Sequence, residues 1–204
     1  SVGSGLQVLA AGISGQVLQT GGTGANPSWG TVSSDMVKLV STTISSSTSQ
    51  VNFADFANSA YGGYKVFISN LKKTGTTDHT WRLRFKYGST VVSNSTYRFA
   101  YDGMNYHSDN SSSFEKGGGW NGNQAEISNW NTPDTRDSNY AINIELFMPE
   151  FKTDTNKHFH WQRSGQHASG TYMNHSEGFG YCHDNSLRAS DMTASGSGFI
   201  IYPV

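Results

Sequence analysis

The stretch Tyr64–Tyr101, YKVFISNLKKTGTTDHTWRLRFKYGSTVVSNSTYRFAY, decides the fold class of this 204-residue chain. Apolar and polar residues alternate along three segments of it, which predicts strands at Tyr64–Leu71, Thr80–Tyr87 and Thr96–Tyr101. Clusters of Gly, Ser, Thr and Asp separate the segments and favour turns. Three short strands joined by turns indicate an antiparallel sheet.

The middle segment shows the alternation most clearly. Within Trp81–Tyr87, aromatic and aliphatic residues occupy the odd positions, and the cations Arg82, Arg84 and Lys86 occupy the even ones. Successive side chains of a strand point to opposite faces, so one face of this strand is predicted to be buried and the other wet. In the preceding strand, Phe67 falls on the otherwise polar face. This predicts that the preceding strand is covered on both sides.

The composition favours a folded, weakly charged protein. Charged residues make up 14% of the chain, against about 25% in an average soluble domain, and aromatic residues make up 13%, which is ample for a core. The single cysteine, Cys182, cannot form an internal disulfide and is expected to be a buried thiol.

A net charge of −1 gives no general attraction to nucleic acid or to an anionic membrane, and no apolar run approaches the roughly 18 residues of a membrane span. We expect neither a nucleic-acid partner nor membrane insertion.

Short alternating segments continue outside the central stretch. They predict strands at Val37–Ile44, Gln50–Phe53, Gln124–Trp130, Tyr140–Met148, Lys157–Arg163 and Gly198–Tyr202. Residues 54–58 are expected to form one helical turn, and the polar region 102–126 a surface excursion with a turn at Gly117–Gly119. Many short strands and no ten-residue helix predict an all-β fold, an antiparallel two-sheet sandwich of jelly-roll kind.

Residues 1–36 differ from the rest of the chain. The sequence QVLAAG at 7–12 recurs as QVLQTG at 16–21, and a Gly-rich stretch follows. A Val-Leu pair flanked by glycines cannot bury itself in so short a segment, so it needs neighbours to stack on, in its own chain or in identical chains. We predict a neck at 1–36 and a sandwich domain at 37–204. The predicted oligomerisation residues of the neck are Val8, Leu9, Val17, Leu18 and Trp29; a flexible Gly/Ser linker is the alternative.

The segment SGQVLQTGGTGANPSWGTV, residues 14–32, resembles the short repeats in the shafts of bacteriophage tail fibres and other virion fibres. The central stretch is similar to C-terminal domains of phage structural proteins, at Tyr64–Leu71, Arg82–Phe85 and Tyr97–Tyr101. The resemblance implies a homotrimeric fibre or spike on a virion, joined to other virion proteins on its N-terminal side. It also implies attachment to a host surface glycan or protein. Because the chain begins at Ser1 rather than Met, we expect it to be a fragment or a processed form of something longer.

Polar segments that carry aromatic residues supply candidates for a sugar site. Sugars are held by aromatic faces stacked on apolar ring patches, with amide and carboxylate groups bound to the hydroxyls. The residues predicted to bind ligand are Trp120, Asn121, Asn123, Trp130, Asn131, Trp161, Tyr172 and Asn174. The alternative is that each tryptophan caps the core of the sandwich.

His158 and His160 are predicted to lie on the same face of a strand, about 7 Å apart, a geometry that suits a metal ion. Exposed or hydrogen-bonded histidines are the alternative, and no other cofactor is predicted.

Carboxylates for glycoside hydrolysis are present, Glu145 among them, but no spacing singles out a pair. We therefore expect a non-enzymatic protein that attaches a virion to its host. A decoration protein that binds only virion proteins and a polysaccharide depolymerase are the alternatives.

Overall fold

A computed structural model describes residues 8–32, 36–57, 61–72, 80–107, 109–127, 141–149, 151, 156–166, 172–184 and 195–204. The chain divides into two compact units, Ser1–Thr42 and Thr43–Val204. The sequence placed the boundary between neck and sandwich after residue 36. In the ranges given above, no helix is long and apolar enough to cross a membrane.

The described residues form thirteen strands. In chain order they are β1 (Gln16–Gln19), β2 (Ser28–Thr31), β3 (Val51–Ala54), β4 (Tyr64–Leu71), β5 (Trp81–Tyr87), β6 (Thr90–Val91), β7 (Tyr97–His107), β8 (Ser112–Gly122), β9 (Ala125–Glu126), β10 (Ile142–Met148), β11 (Lys157–Gln166), β12 (Tyr172–Cys182) and β13 (Gly198–Pro203). All pairings between them are antiparallel, so the predicted all-β antiparallel class is confirmed.

The first unit contains a two-stranded hairpin, β1 with β2. The indole Nε1 of Trp29 donates a hydrogen bond of 2.6 Å to the carbonyl oxygen of Ala10, and the ring lies against Gly12, where a Cβ would be only 2.7 Å away. All the large apolar side chains described between residues 8 and 42 are exposed: Val8, Leu9, Ile13, Val17, Leu18, Trp29, Val32, Met36, Val37, Leu39 and Val40. A two-stranded hairpin is marginally stable alone, and this one lacks a buried apolar face of its own.

The second unit is a sandwich of two sheets. The large sheet has six strands in the order β4-β10-β11-β12-β7-β8. The small sheet has the order β3-β13-β5-β6, and β9 also pairs with β5. Aromatic contacts join the two sheets through the core, where the Phe85 ring lies 6.3 Å from Tyr97 and 6.2 Å from Phe159.

The path of the chain is that of a jelly-roll-like sandwich. The chain passes back and forth between the sheets, with β3, β5, β9 and β13 in the small sheet and β4, β7, β8 and β10 in the large one. One antiparallel pair, β11 with β12, stays in the large sheet and lies between β10 and β7. This pair makes the large sheet wider than the small one, and its two strands occupy the middle of that sheet.

The central strands follow the predicted alternation. Leu83 and Phe85 are fully buried, while Arg84 and Lys86 face the other way. On β10, Ile142, Ile144, Leu146 and Met148 are all buried, as their spacing predicts. The single cysteine is buried too.

Several predicted elements were wrong. Residues 37–44 contain no strand, and Asp55, with a φ of 61°, ends β3 where one helical turn was predicted. The region 102–126 is not a surface excursion, because it holds the second half of β7, all of β8 and the short β9. Its Gly117–Gly119 run lies within β8 and does not form a turn. Phe67 is 61% exposed, so β4 is not covered on both sides.

Candidate functional site

The outer face of the large sheet, which is the face turned away from the small sheet, carries a wide groove. It has a volume of about 1050 Å³, and its lining residues come from all six strands of the sheet. A shallower depression of about 260 Å³ lies beside it, towards Phe67 and His175, and shares Glu145 and Gln162 with it. The strand register arranges the side chains of this surface into rows that run across the sheet.

One row of the groove is acidic. Glu145, Gln162, Glu177, Asp102 and Lys116 are direct neighbours on β10, β11, β12, β7 and β8, and we call them the acidic row. At one end, Lys65 Nζ lies 2.8 Å from Glu145 Oε1, and in the middle Gln162 Nε2 donates to Glu177 Oε2 at 3.4 Å. Glu177 and Asp102 are directly opposite each other. Like charges in that position destabilise a sheet, so this arrangement costs stability and provides closely spaced hydrogen-bond acceptors.

The adjacent row is aromatic. Phe147, His160 and Phe179 are direct neighbours on β10, β11 and β12, and we call them the aromatic row. The His160 ring lies 6.4 Å from each of the other two rings. Phe179 is 60% exposed, and all three rings line the groove. Exposed aromatic faces beside carboxylates are the combination that binds sugar rings.

The floor of the groove is made of small residues. Ala100 on β7, Gly117 on β8 and Gly178 on β12 all line it. On the inner side, a Cβ at Gly178 would lie 2.7 Å from the Trp161 ring, and a Cβ at Gly117 would collide with Tyr101. The inner rings of Trp161 and Tyr101 therefore fill the space beside these glycines. On the outer face, the small residues leave a depression between the larger side chains that surround them.

A third group of side chains lies next to the aromatic row, and we call Arg98, Trp120, Tyr181 and His158 the Arg98 cluster. The guanidinium carbon of Arg98 lies 4.0 Å from the centre of the Trp120 ring, and Arg98 Nη1 donates a hydrogen bond of 2.8 Å to the Tyr181 hydroxyl. The Tyr181 ring in turn stacks on His158, with centroids 5.7 Å apart.

A β-bulge positions Trp120 in this cluster. Phe99 pairs with Gly119 and Tyr97 with Gly122, so β8 has one more residue than β7 in this interval. Asn121 takes up the extra residue with a left-handed φ of 58°, a conformation that asparagine tolerates better than most residues. Bulges redirect side chains, and this one accompanies a Trp120 ring that is 72% exposed and rests on Arg98.

The structure distributes the predicted sugar-binding residues over several environments. Trp120 and Asn121 lie at the Arg98 cluster, and Asn123 is exposed nearby, where its carbonyl accepts a hydrogen bond from Arg84. Trp161 is 2% exposed and packs in the core against Tyr101, which was the structural alternative. Asn174 is buried and donates a hydrogen bond to Asn105. Trp130, Asn131 and the side chain of Tyr172 lie outside the described residues.

The two histidines of the predicted metal site both point to the outer face. His158 and His160 are exposed on β11 and stack on Tyr181 and between the phenylalanines of the aromatic row. No group of three or more potential metal ligands is found within the described part of the chain. These histidines belong to the aromatic surface, where their rings contact other rings.

Some residues of this surface were missed by the sequence reasoning. Glu177 and Phe179 lie on β12, which was not predicted, and Arg98 and Asp102 were not connected to any site. Alternation at Met173, His175, Glu177, Phe179 and Tyr181 was the available signal. It is hard to read because the large side chains of this strand point outward and its small ones point inward.

Comparison of the chain with protein-family models, with curated proteins and with solved structures finds no match. The geometry of the chain itself must therefore support any functional conclusion.

Proposed function

We propose that this protein is the distal part of a phage fibre or spike and that it attaches the virion to a bacterial surface glycan. The glycan lies in the groove on the outer face of the large sheet. The observation that supports this proposal best is the pair of adjacent rows, one aromatic and one acidic, along the same groove.

Each of the two rows would make a different kind of contact with the sugar. Phe147 and Phe179 offer flat faces to the C–H patches of sugar rings, and the carboxylates of Glu145, Glu177 and Asp102 accept hydrogen bonds from hydroxyl groups. Because the site follows the outer face of a sheet, it is long and open at its ends. An open groove of this kind suits a polysaccharide chain better than a small, enclosed ligand.

Assembly into trimers would compensate for weak single sites. Shallow sugar sites bind in the region of about 1 mM, which corresponds to about 4 kcal/mol. Three linked copies raise the overall affinity by about 10²–10⁴ when they engage neighbouring repeats of one glycan. The exposed Val8, Leu9, Val17, Leu18 and Trp29 of the first unit are the proposed contacts between the copies.

Adherence to bacterial cells tests the proposal. The fluorescently labelled 204-residue chain is incubated with a panel of strains, and surface polysaccharide isolated from each bound strain is added as a competitor. We expect retention on some strains and loss of retention when their own polysaccharide is added. The Phe179→Ser variant should lose most of the retention, because it removes the more exposed of the two phenylalanine rings in the aromatic row.

The matched control is Met173→Ser. Met173 is 65% exposed on the same face of β12 as Phe179, so the substitution also removes a large, exposed apolar side chain. Unlike Phe179, Met173 does not line the groove. Met173→Ser should adhere as the wild type does. Retention that no polysaccharide competes with, or equal loss in both variants, would argue against a glycan site in the groove. Failure to adhere to any strain would favour a decoration protein that binds only virion components.

A second candidate function, cleavage of the same glycan, is favoured by the opposed carboxylates of Glu177 and Asp102. Directly opposed residues have Cβ atoms about 4.5–5.5 Å apart, which would allow their carboxyl groups to approach to the roughly 5–5.5 Å found in retaining glycosidases. Release of reducing ends from a bound polysaccharide, abolished by Glu177→Gln, would establish a depolymerase. Binding without release of reducing ends is the result that attachment alone predicts.

A further inference from the structure

We propose that the Arg98 cluster is a subsite for the anionic group of an acidic sugar, a carboxylate or a phosphate. This inference rests on the proposed function, because it assigns the class of glycan that the groove holds. The ligand would be a polysaccharide with an anionic substituent on some residues and neutral rings on the others.

The first observation is that Arg98 keeps most of its hydrogen-bonding capacity free. A guanidinium has five N–H donors, and among the described residues the only acceptor of Arg98 is the Tyr181 hydroxyl. No carboxylate of the described chain forms an ion pair with Arg98, whereas Arg82 lies 3.4 Å from Glu126. Arg98 therefore retains its positive charge and several donors for an external acceptor.

A comparison with Arg84 shows that Arg98 has fewer protein acceptors than another arginine over a ring. Arg84 also lies over an aromatic ring, that of Tyr202, at 5.2 Å. Its Nε donates to the Asn123 carbonyl and its Nη2 to Gln124 Oε1, each at 3.0 Å. Within the described part of the chain, protein oxygens thus accept from two of the five donors of Arg84, on two of its three nitrogens, but from only one donor of Arg98.

The second observation is that Arg98 is held in place. Its guanidinium carbon lies 4.0 Å from the centre of the Trp120 ring and 5.7 Å from the centre of the Tyr181 ring. Two rings and one hydrogen bond limit the rotamers of a side chain that is otherwise flexible. A planar guanidinium held in this way presents paired N–H groups to the two oxygens of a carboxylate or phosphate.

The position of the cluster joins it to the groove. Arg98 precedes Ala100, which lines the groove, by two residues on the same face of β7, a separation of about 7 Å. When one sugar ring lies on the aromatic row, the next sugar of the polysaccharide would thus lie within reach of Arg98. The Trp120 ring, exposed on the side away from Arg98, can stack on that residue.

The acidic row does not prevent an anion from binding here. Asp102 is four residues from Arg98, about 13 Å along the strand. Charges exposed to solvent and separated by more than the Debye length of about 8 Å at physiological salt are largely screened. Attraction to Arg98 at contact distance therefore exceeds repulsion from the acidic row.

Titration of the ¹⁵N-labelled 204-residue chain tests the subsite, with the Trp120 indole N–H signal as the readout and Trp120→Phe to assign it. The probes are glucuronate, glucose 6-phosphate and glucose. We expect the two anionic sugars to shift the Trp120 signal in a saturable way, with binding that weakens between about 50 mM and about 500 mM NaCl. Glucose should leave this signal unchanged.

Three variants complete the test. Arg98→Gln should weaken binding of both anionic sugars by about tenfold or more, and Arg98→Lys, which keeps the charge but loses the paired donors, by less. Lys72→Gln removes an exposed cation that has no role in the groove and should bind as the wild type does.

Equal shifts with glucose, or unchanged binding in Arg98→Gln, would overturn the subsite. If the protein adheres to cells but neither anionic sugar shifts the Trp120 signal, the subsite is wrong while the glycan groove stands. If no sugar binds and the protein adheres to no strain, the proposed function itself fails.

Discussion

The backbone amide of Phe85 in the small sheet donates a hydrogen bond of 2.8 Å to the Tyr97 hydroxyl in the large sheet. The same hydroxyl donates to the carbonyl oxygen of Val92 at 3.1 Å, so one phenol bridges the Phe85 amide and the Val92 carbonyl, while the Val92 amide donates directly to the Phe85 carbonyl at 2.9 Å. Burial raises the pKa of Tyr97 far above its usual value and keeps the group neutral. A single side chain thus links the two layers through the core.

Tyr97→Phe should therefore destabilise the protein by about 1–3 kcal/mol, because it leaves a buried amide without an acceptor. The free energy of unfolding in urea measures the effect. Tyr106→Phe, at an exposed tyrosine on the same strand, is the control and should change little. Equal stability of the two variants would mean that the hydroxyl of Tyr97 has no structural role.

Gly178→Ala should disturb the core beneath the groove. The added Cβ would lie 2.7 Å from the ring of Trp161, which is almost fully buried and has little room to move. Such overpacking costs about 1–3 kcal/mol. Urea unfolding and the near-ultraviolet signal of the tryptophans should both report the change. Gly62→Ala, where a Cβ would meet nothing within 4 Å, should match the wild type; a stable Gly178→Ala variant would contradict the packing described here.

The inner glycines also explain which parts of the fold could be predicted. On β4, β5 and β10 the large apolar residues point inward, so the alternation in the sequence identified these strands and their buried faces. On β12 the inner positions are Asn174, Ser176, Gly178 and Gly180, and the large residues point outward. Rings of the neighbouring strand, Trp161 and Phe159, occupy the inner space instead. The usual pattern is inverted, and the strand was missed for that reason.

The candidate site depends even more on information that a single sequence lacks. Trp120 and Asn121 were found because tryptophan and asparagine in a polar stretch are typical of sugar sites. Their connection to Arg98 depends on the bulge in β8, and the two rows of the groove depend on the register of four strand pairs. Residues as distant as Glu145 and Asp102 become members of one row only through that register. Trp161 was wrongly predicted to bind ligand for the same reason. Its ring is buried against Gly178 of β12, and the sequence alone does not show that these two residues are neighbours.

Stability should fall at alkaline pH. Burial raises the pKa of the Cys182 thiol from its ordinary 9.0 to about 11. Between these two values the unfolded chain loses the proton and the folded chain keeps it, so the folded state binds more protons and its stability decreases as pH rises. The pKa of Tyr97, raised in the same direction, adds to the loss above its ordinary 10.0.

Urea midpoints measured at several pH values between about 7 and about 10.5 test this linkage. We expect a constant midpoint below pH 9.0 and a falling one above it, with a shallower fall in Cys182→Ala. A midpoint that rises with pH in this window would contradict the burial of the thiol.

The first unit should control the oligomeric state. Replacing Val17 and Leu18 by serine removes two exposed apolar side chains from β1, and we expect the proposed trimer to dissociate because its contacts lose apolar area. Light scattering on the full chain measures the mass. Gln19→Ser, a polar change on the same strand, should leave the trimer intact. A wild-type chain that is monomeric at all concentrations would remove the basis for assembly through the neck.

The most direct measurement of the central claim is the affinity of the full chain for a polysaccharide that it retains, compared between wild type and the Phe147→Ser/Phe179→Ser variant. If the groove binds the glycan through the aromatic row, the double variant should lose at least about tenfold per site, or about 1.4 kcal/mol, and more when three copies bind together. Met173→Ser should bind as the wild type does. Equal affinities of the wild type and the double variant, with both proteins folded, would show that the glycan binds elsewhere and that the outer face of the large sheet is not the attachment surface.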